Sequence, residues 1–384
     1  MVCPVDLPTA LEERPGPVSR PTVIEILRRF IPDFLALKRP VSAAQWRAIR
    51  AIQQCRTSIL GGSLHDCADC GLKHFAWHSC NHKACPQCGS DATQKWVSRQ
   101  LEKLTGAPYF MVTFTLPEEL RGLFFGDLAK EAYDVFFAAV AVALRQKLGM
   151  RKYLGAEFSG FTAVLHTWNQ QLLFHPHIHC IVPGVGLDAD GKVRCVKKAD
   201  YLVHQPTLCA AFREAFRNEL AKREWEVDPS VWRKDWGVHI QESGSGESAI
   251  KYLGTYVKRT AIGDSRIVQV DENEVTFLWK DRDHGDVLKP MTLTGVEFVQ
   301  RYLRHVLPPK MHSVRYYGFC HPAAKKKLER IQFFTGMLLM IGPELVKKET
   351  KPGWICPHCK VPLRRIATLP PLYHRRIQPR IRSP

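Results

Sequence analysis

Long apolar runs are missing from these 384 residues. The longest, near Val135–Leu144 and Phe333–Ile341, fall well below the roughly 18 residues a bilayer-spanning helix needs, so no transmembrane helix is expected. The first residues, MVCPVDLPTALEERPG, lack a basic start followed by an apolar core, so no export signal is expected and the chain reads as cytoplasmic. No internal repeat is visible. No His-Glu-x-x-His run occurs, which argues against a zincin-type catalytic zinc. Acidic residues are scarce at one end only. Residues 301–384 hold 18 Lys and Arg against 3 Asp and Glu, whereas residues 1–300 hold 37 against 34. Nearly all of the net charge of +18 therefore sits in the last fifth of the chain. A cationic block of this kind suits a polyanion, nucleic acid or an anionic membrane, through release of condensed counterions.

What is present is globular. A hydrophobic share of 45% with 24% charged residues excludes a disordered chain, and the length allows two or three domains. Thr22–Lys38 and Ser42–Cys55 have helical spacing, with Ser42 as N-cap of the second. Residues 55–90 break that pattern with Cys, His and Gly, and Asp91–Leu104 resumes it. Phe110–Leu116 reads as a buried strand ended by Pro117. Residues 118–155 read as helical, then Phe161–Trp168, His177–Val182 and Trp236–Gln241 as strands. Ser243–Gly246 is a turn before a helix from Glu247 to Thr260, followed by a strand at Val275–Lys280 and a helix at Thr294–Val306. Irregular interleaving favours an α+β fold with an antiparallel sheet over a doubly wound one. Leu369–Pro384 reads as a mobile basic tail.

Thirteen cysteines in a cytosolic chain point to ligands or buried thiols rather than disulfides. Cys67-x-x-Cys70 and Cys85-x-x-Cys88 are each followed by Gly and lie fourteen residues apart. Two such knuckles suit one closed shell of four thiolates around structural Zn²⁺. Cys55, His65, Cys80 and His82 nearby are enough for a second zinc site, with His74 and His78 also in reach. Cys356-Pro-His-Cys359 is a lone knuckle without a visible partner pair.

The stretch Phe174-His175-Pro176-His177-Ile178-His179 carries the chemistry. Alternate residues of a strand share a face, so His177 and His179 point one way and can converge on one ion. Gln170, Gln171 and His166, on the segment that a hairpin returns alongside, are candidates for a third ligand. Such a site is compatible with Mg²⁺ or Mn²⁺ acting as a Lewis acid on a phosphate. Tyr252 and Tyr256 stand one helical turn apart, with Lys251, Lys258 and Arg259 adding positive charge. A tyrosinate beside a metal is a competent nucleophile on a phosphodiester, and two allow two strand transfers.

The joint order of a cysteine-rich region, PYFMVTFTLPEEL, LHTWNQQLLFHPHIHCIVPGVG and IKYLGTYVKR resembles the IS91-type transposases of the HUH (His-hydrophobe-His) nuclease superfamily. The likeness runs from about Cys55 to Cys320 and includes VTFLWKDRDHG and VRYYGF. It departs where the family commonly reads Asn-Arg-His-Cys and this chain reads His82-Lys83-Ala84-Cys85, which bears on a second zinc. The resemblance implies a ferredoxin-like antiparallel sheet, with His177 and His179 as metal ligands, Gln170 as the third and His166 its substitute. It implies Tyr252 and Tyr256 as paired nucleophiles that cut single-stranded DNA in rolling-circle-like transposition, leaving a 5′-phosphotyrosine and a free 3′-OH.

The expected organisation is a helical and zinc-binding DNA-binding domain over 1–105, a nuclease domain over 106–290, and a basic helical C-terminal region over 291–384. DNA ends and hairpins in a bacterial nucleoid are the expected partners, and whether one protomer or a homodimer acts stays open. Arg315, with Tyr316 and Tyr317 beside it, is a candidate DNA contact. A plasmid replication initiator or relaxase would share the chemistry, and a zinc-dependent DNA-binding regulator would share the knuckles without it.

Overall fold

Capping begins the first two helices where the sequence signals it. Glu25 and Thr22 form a capping box ahead of α1 (Val23–Ala36), and Ser42 Oγ accepts the Gln45 N–H at 3.2 Å to open α2 (Ala43–Gln54). This computed structural model describes residues 21–88, 90–257, 261–281, 284–336 and 354–372, excluding the side chains of 90–92, 255 and 256. After α2 come the hairpin β1 (Gly62–Asp66) and β2 (Lys73–Trp77), then α3 (Ser90–Leu101), β3 (Tyr109–Thr115) and α4 (Ala129–Gly149). A short β4 (Phe158–Ser159) precedes the long hairpin β5 (Phe161–Trp168) and β6 (Phe174–Pro183), followed by β7 (Val185–Leu187), β8 (Val193–Cys195) and α5 (Gln205–Ala221). The chain continues through β9 (Gly237–Glu242), α6 (Glu247–Val257), β10 (Ile267–Val270), β11 (Glu274–Asp281), β12 (Val287–Thr294) and α7 (Gly295–Leu303). It ends in β13 (Val314–Tyr317), α8 (Lys325–Phe334) and β14 (Arg364–Leu369).

The centre is a five-stranded sheet in the order β13-β5-β6-β3-β9, antiparallel at every pairing. This is the expected α+β class. Strand alternation gives the sheet two different faces. On one, Phe110, Val112, Phe114, Phe161, Ile178 and Cys180 are fully buried and form a core with α4 and α5. On the other, Val164 and Ile181 pack against Trp96 of α3 and against Ile250 and Leu253 of α6. That second face also carries His166, His177 and His179.

Helices α3 and α6 meet closely because Gly254 has no side chain. A Cβ placed there would lie 2.2 Å from Val97 Cγ2, and a β-branched Val cannot swing aside within a helix. Gly254→Ala is therefore expected to destabilise the protein by about 1–3 kcal/mol, measurable as a lower denaturant midpoint. Gly246, at φ +82°, closes the turn expected at Ser243–Gly246, where an added Cβ would lie 2.5 Å from the Tyr109 ring.

Several expectations need correction. The helical stretch 118–155 is divided: a 3₁₀ turn at Glu118–Phe124 precedes α4, with Gly126 at φ +74° between them. No expectation covered α5, although Leu208, Ala211, Phe212, Ala215 and Phe216 are buried at helical spacing. Segment 291–384 is distributed rather than gathered into a helical region. Its β13 is an edge strand of the central sheet, and its α7 shares a core with α1, α2 and the β10–β12 sheet. Its β14 pairs with β1, nearly 300 residues earlier, so residues 364–369 of the basic end are strand. Residues 373–384 of the expected tail lie outside the described residues.

Candidate functional site

The β5–β6 register sets His166 directly opposite His177 and Val164 opposite His179. One nitrogen from each of His166, His177 and His179 lies within 4.8 Å of the others. The ring centroids are 5.2 Å (166–177), 4.5 Å (166–179) and 4.9 Å (177–179) apart. His177 Nδ1 is 2.7 Å from the His175 carbonyl oxygen, which can only accept, so the proton sits on Nδ1 and Nε2 carries the lone pair. His179 Nδ1 is 2.8 Å from Thr113 Oγ1, on the neighbouring strand. Hydrogen bonds of this kind orient metal-binding imidazoles. Burial, then the neighbouring His179 and His177, hold His166 well below the ordinary histidine range, keeping it neutral and able to donate a lone pair. Trp168 stacks on it with rings 5.7 Å apart and 9° from parallel. The donor set fits a divalent cation.

The third imidazole of the cluster is His166, named above as the substitute, which the register sets on the same sheet face as His177 and His179. Gln170 lies in the turn beyond the strand, where its backbone carbonyl oxygen accepts from Arg266.

Helix α6 lays Tyr252 over this face. Its ring centre is 6.5 Å from that of His179, edge-on, and it packs half-buried against the α3–α6 core. Tyr256 follows one turn later on the same helix, but its side chain, like Lys258 and Arg259, lies outside the described residues. The Lys251 ammonium is 2.5 Å from Glu247. Arg315 is bound to Asp134 and lies over the Phe137 ring, 4.1 Å from its centre. Tyr316 accepts from Trp96 Nε1 at 2.8 Å, while Tyr317 stacks on Phe161 at 4.6 Å. Arg315 and both tyrosines thus make contacts within the protein while staying partly exposed.

The cysteines do not form the single set expected from Cys67, Cys70, Cys85 and Cys88. They form two groups of four, each with sulfurs within 4.8 Å of one another: Cys55, Cys80, Cys85 and Cys88, and Cys67, Cys70, Cys356 and Cys359. The β1–β2 hairpin explains the split. Cys67 and Cys70 lie at its tip and the other group at its base, roughly 16 Å away by strand rise. His65 and His82 join neither group. His65 stacks on Trp354, and His82 Nδ1 accepts the Ala84 N–H at 3.1 Å. The lone knuckle thus has its partner pair at the other end of the chain. Cys359 N–H donates to Cys356 Sγ at 3.5 Å and brings that thiol down to about 6, toward the thiolate a metal binds.

Comparison with known proteins agrees with both halves of this picture. Residues 160–328 match the family described as "Putative transposase" (Y2), and residues 26–116 match the transposase zinc-binding domain of the IS91 type. The "Putative transposase y4qJ" of Sinorhizobium fredii (strain NBRC 101917 / NGR234) is 36% identical over 341 residues, 83% of this chain and 85% of its own length. The transposase for insertion sequence element IS801 of Pseudomonas savastanoi pv. phaseolicola is 28% identical over 286 residues, 69% of this chain and 67% of its own. No solved structure matches the chain. Among the described residues no helix is long and apolar enough to cross a membrane.

Proposed function

Since this chain belongs to the IS91-type Y2 transposases, with their zinc-binding domain, we propose that it nicks and rejoins DNA by tyrosine attack on a phosphodiester. The observation that carries the reading is the cluster of His166, His177 and His179 facing the helix that bears Tyr252. The β3-α4-β5-β6-α5-β9 connectivity, with strand order β5-β6-β3-β9, supports the ferredoxin-like description.

In this mechanism the three imidazoles would hold Mg²⁺ or Mn²⁺, which when bound would supply polarisation of the phosphate and stabilisation of the departing oxygen. Three nitrogen donors favour Mn²⁺ over Mg²⁺, which prefers oxygen ligands. Tyr252 or Tyr256 forms the new P–O bond as its phenolic proton passes to solvent. The bond to the 3′ oxygen breaks, and that oxygen takes up a proton to become a free 3′-OH. The DNA is left joined to the protein through a 5′-phosphotyrosine, and single-stranded element ends are the substrate in a rolling-circle-like transposition. Thr113 and His175 position the imidazoles, and Trp168 shields His166. The two tetrathiolate groups would hold structural Zn²⁺, and the one at Cys67 would stiffen a hairpin tip with little apolar core of its own.

Incubating the protein with labelled single-stranded element ends and Mn²⁺, then resolving the products on a denaturing gel, tests this reading. A covalent adduct is expected from the parent protein, with more in Mn²⁺ than in Mg²⁺. The Tyr252→Phe, Tyr256→Phe double variant is expected to form none. No adduct with any cognate end would favour a DNA-binding regulator without catalysis, and an adduct surviving in the double variant would refute the choice of nucleophiles.

A further inference from the structure

We propose that a cleft between the β1–β2 hairpin and the C-terminal segment binds one unpaired nucleotide of DNA, an inference that rests on the DNA-directed reading above. The cleft measures about 610 Å³, in the range that encloses a small ligand and far too small for a duplex. Its walls come from opposite ends of the chain: Arg56, Ser63, His65 and His78 on one side, Trp354 and Arg365 on the other.

Each wall suits a nucleotide. Trp354 is 61% exposed, yet its indole is held in place by stacking on His65, with rings 5.7 Å apart and 28° from parallel. An exposed indole fixed beside a cavity offers its free face to an unstacked base. Arg56 and Arg365 form no ion pair among the described residues, which leaves two guanidinium forks for phosphate oxygens. His78 is fixed: its Nδ1 donates to the Leu60 carbonyl at 3.2 Å, and its Nε2 is hydrogen-bonded with Ser63 Oγ at 2.8 Å. His65 is only 6% exposed, and its Nδ1 has no hydrogen-bond partner among the described residues. A buried polar atom without a partner costs free energy that a base edge could recover. Base-paired DNA keeps its base faces stacked and cannot offer one to the indole, so the cleft selects unpaired DNA.

The test uses the full-length, zinc-loaded protein. A short oligothymidylate carrying 5-iodouracil is photocrosslinked to it and the modified peptides are mapped. Crosslinks are expected on the peptide containing Trp354. Trp354→Ala is expected to weaken oligothymidylate binding about tenfold, with Trp354→Phe restoring most of it and duplex binding unchanged. Combined Arg56→Ala and Arg365→Ala substitution should lower the salt slope for single strands by about 1.4, at about 0.7 per phosphate contact. Retention of the parent's zinc content certifies that each variant is folded. Crosslinks confined to other regions, or folded variants that bind oligothymidylate like the parent, would overturn the cleft. If either occurs while the tyrosine adduct still forms, only the cleft is refuted; if the adduct is absent while these variants behave as expected, only the nuclease reading is.

Discussion

Replacing His179 with alanine is expected to lower adduct formation on single-stranded element ends about 10²–10³-fold while leaving the fold intact. The size follows from what the side chain does in the proposed mechanism, since loss of a single electrostatic stabiliser of a transition state typically costs that much. His179 is hydrogen-bonded through Nδ1 to Thr113, so its other nitrogen is presented to the cluster in one orientation. Thr113→Val keeps the shape of the strand and removes only that hydrogen bond, so a smaller loss, about tenfold, is expected. His166 is a different case because it is only 3% exposed, beneath Trp168. His166→Ala would open a cavity, so His166→Gln is the informative change: it retains a lone-pair donor and should raise the Mn²⁺ concentration needed for half-maximal adduct. The measurement is a rate of adduct formation against Mn²⁺ concentration, with circular dichroism to establish folding. Parental rates in a folded His179→Ala variant would remove the imidazole cluster from the chemistry.

How much of this site could be read in the sequence depended on range. His177 and His179 are two apart and Tyr252 and Tyr256 four apart, so strand and helix periodicity alone places each pair on one face. The capped start of α2 and four of the five strands of the central sheet were legible for the same local reason, whereas the edge strand β13 was not. The place of His166 in the cluster was a question of register, which the observed pairing of His166 with His177 supplies. The partner of Arg315 was likewise out of range, because nothing local to VRYYGF announces Asp134, about 180 residues earlier. The cysteine knuckles show the limit most plainly. Each CxxC pair was visible by spacing, but spacing says nothing about which pairs share an ion. Proximity in sequence favoured Cys67 and Cys70 with Cys85 and Cys88, whereas a hairpin of two five-residue strands separates them. The partner pair lies across almost the whole chain.

That long-range group leads to the second large effect: Cys356→Ser is expected to reduce bound zinc from two ions per chain to one and to release the C-terminal strand from the hairpin. Besides the Trp354–His65 stack, three interactions among the described residues hold that segment. The first is the β1–β14 ladder, an edge pairing of a three-stranded sheet with little apolar surface on it. The second is the Arg364–Asp66 pair at 2.9 Å, where the arginine side chain is 76% exposed. Solvent screening leaves an exposed pair of this kind with little net stabilisation. The third is the Cys67, Cys70, Cys356 and Cys359 group, and structural zinc in small domains supplies on the order of 10 kcal/mol of apparent folding free energy. The metal therefore outweighs the other two, and removing one thiolate should free the strand where Arg364→Ala would not. Metal analysis of the purified variants gives the stoichiometry, and hydrogen exchange of the amides in 354–372 reports the strand. A Cys356→Ser protein that keeps both ions and protected amides would mean the knuckle plays no part in zinc binding. Cys55→Ser gives the contrast. Its sulfur belongs to the other group and is fully buried in the α1–α2 core, so zinc loss there should be accompanied by a fall in the stability of the N-terminal helices rather than by release of the C-terminal strand.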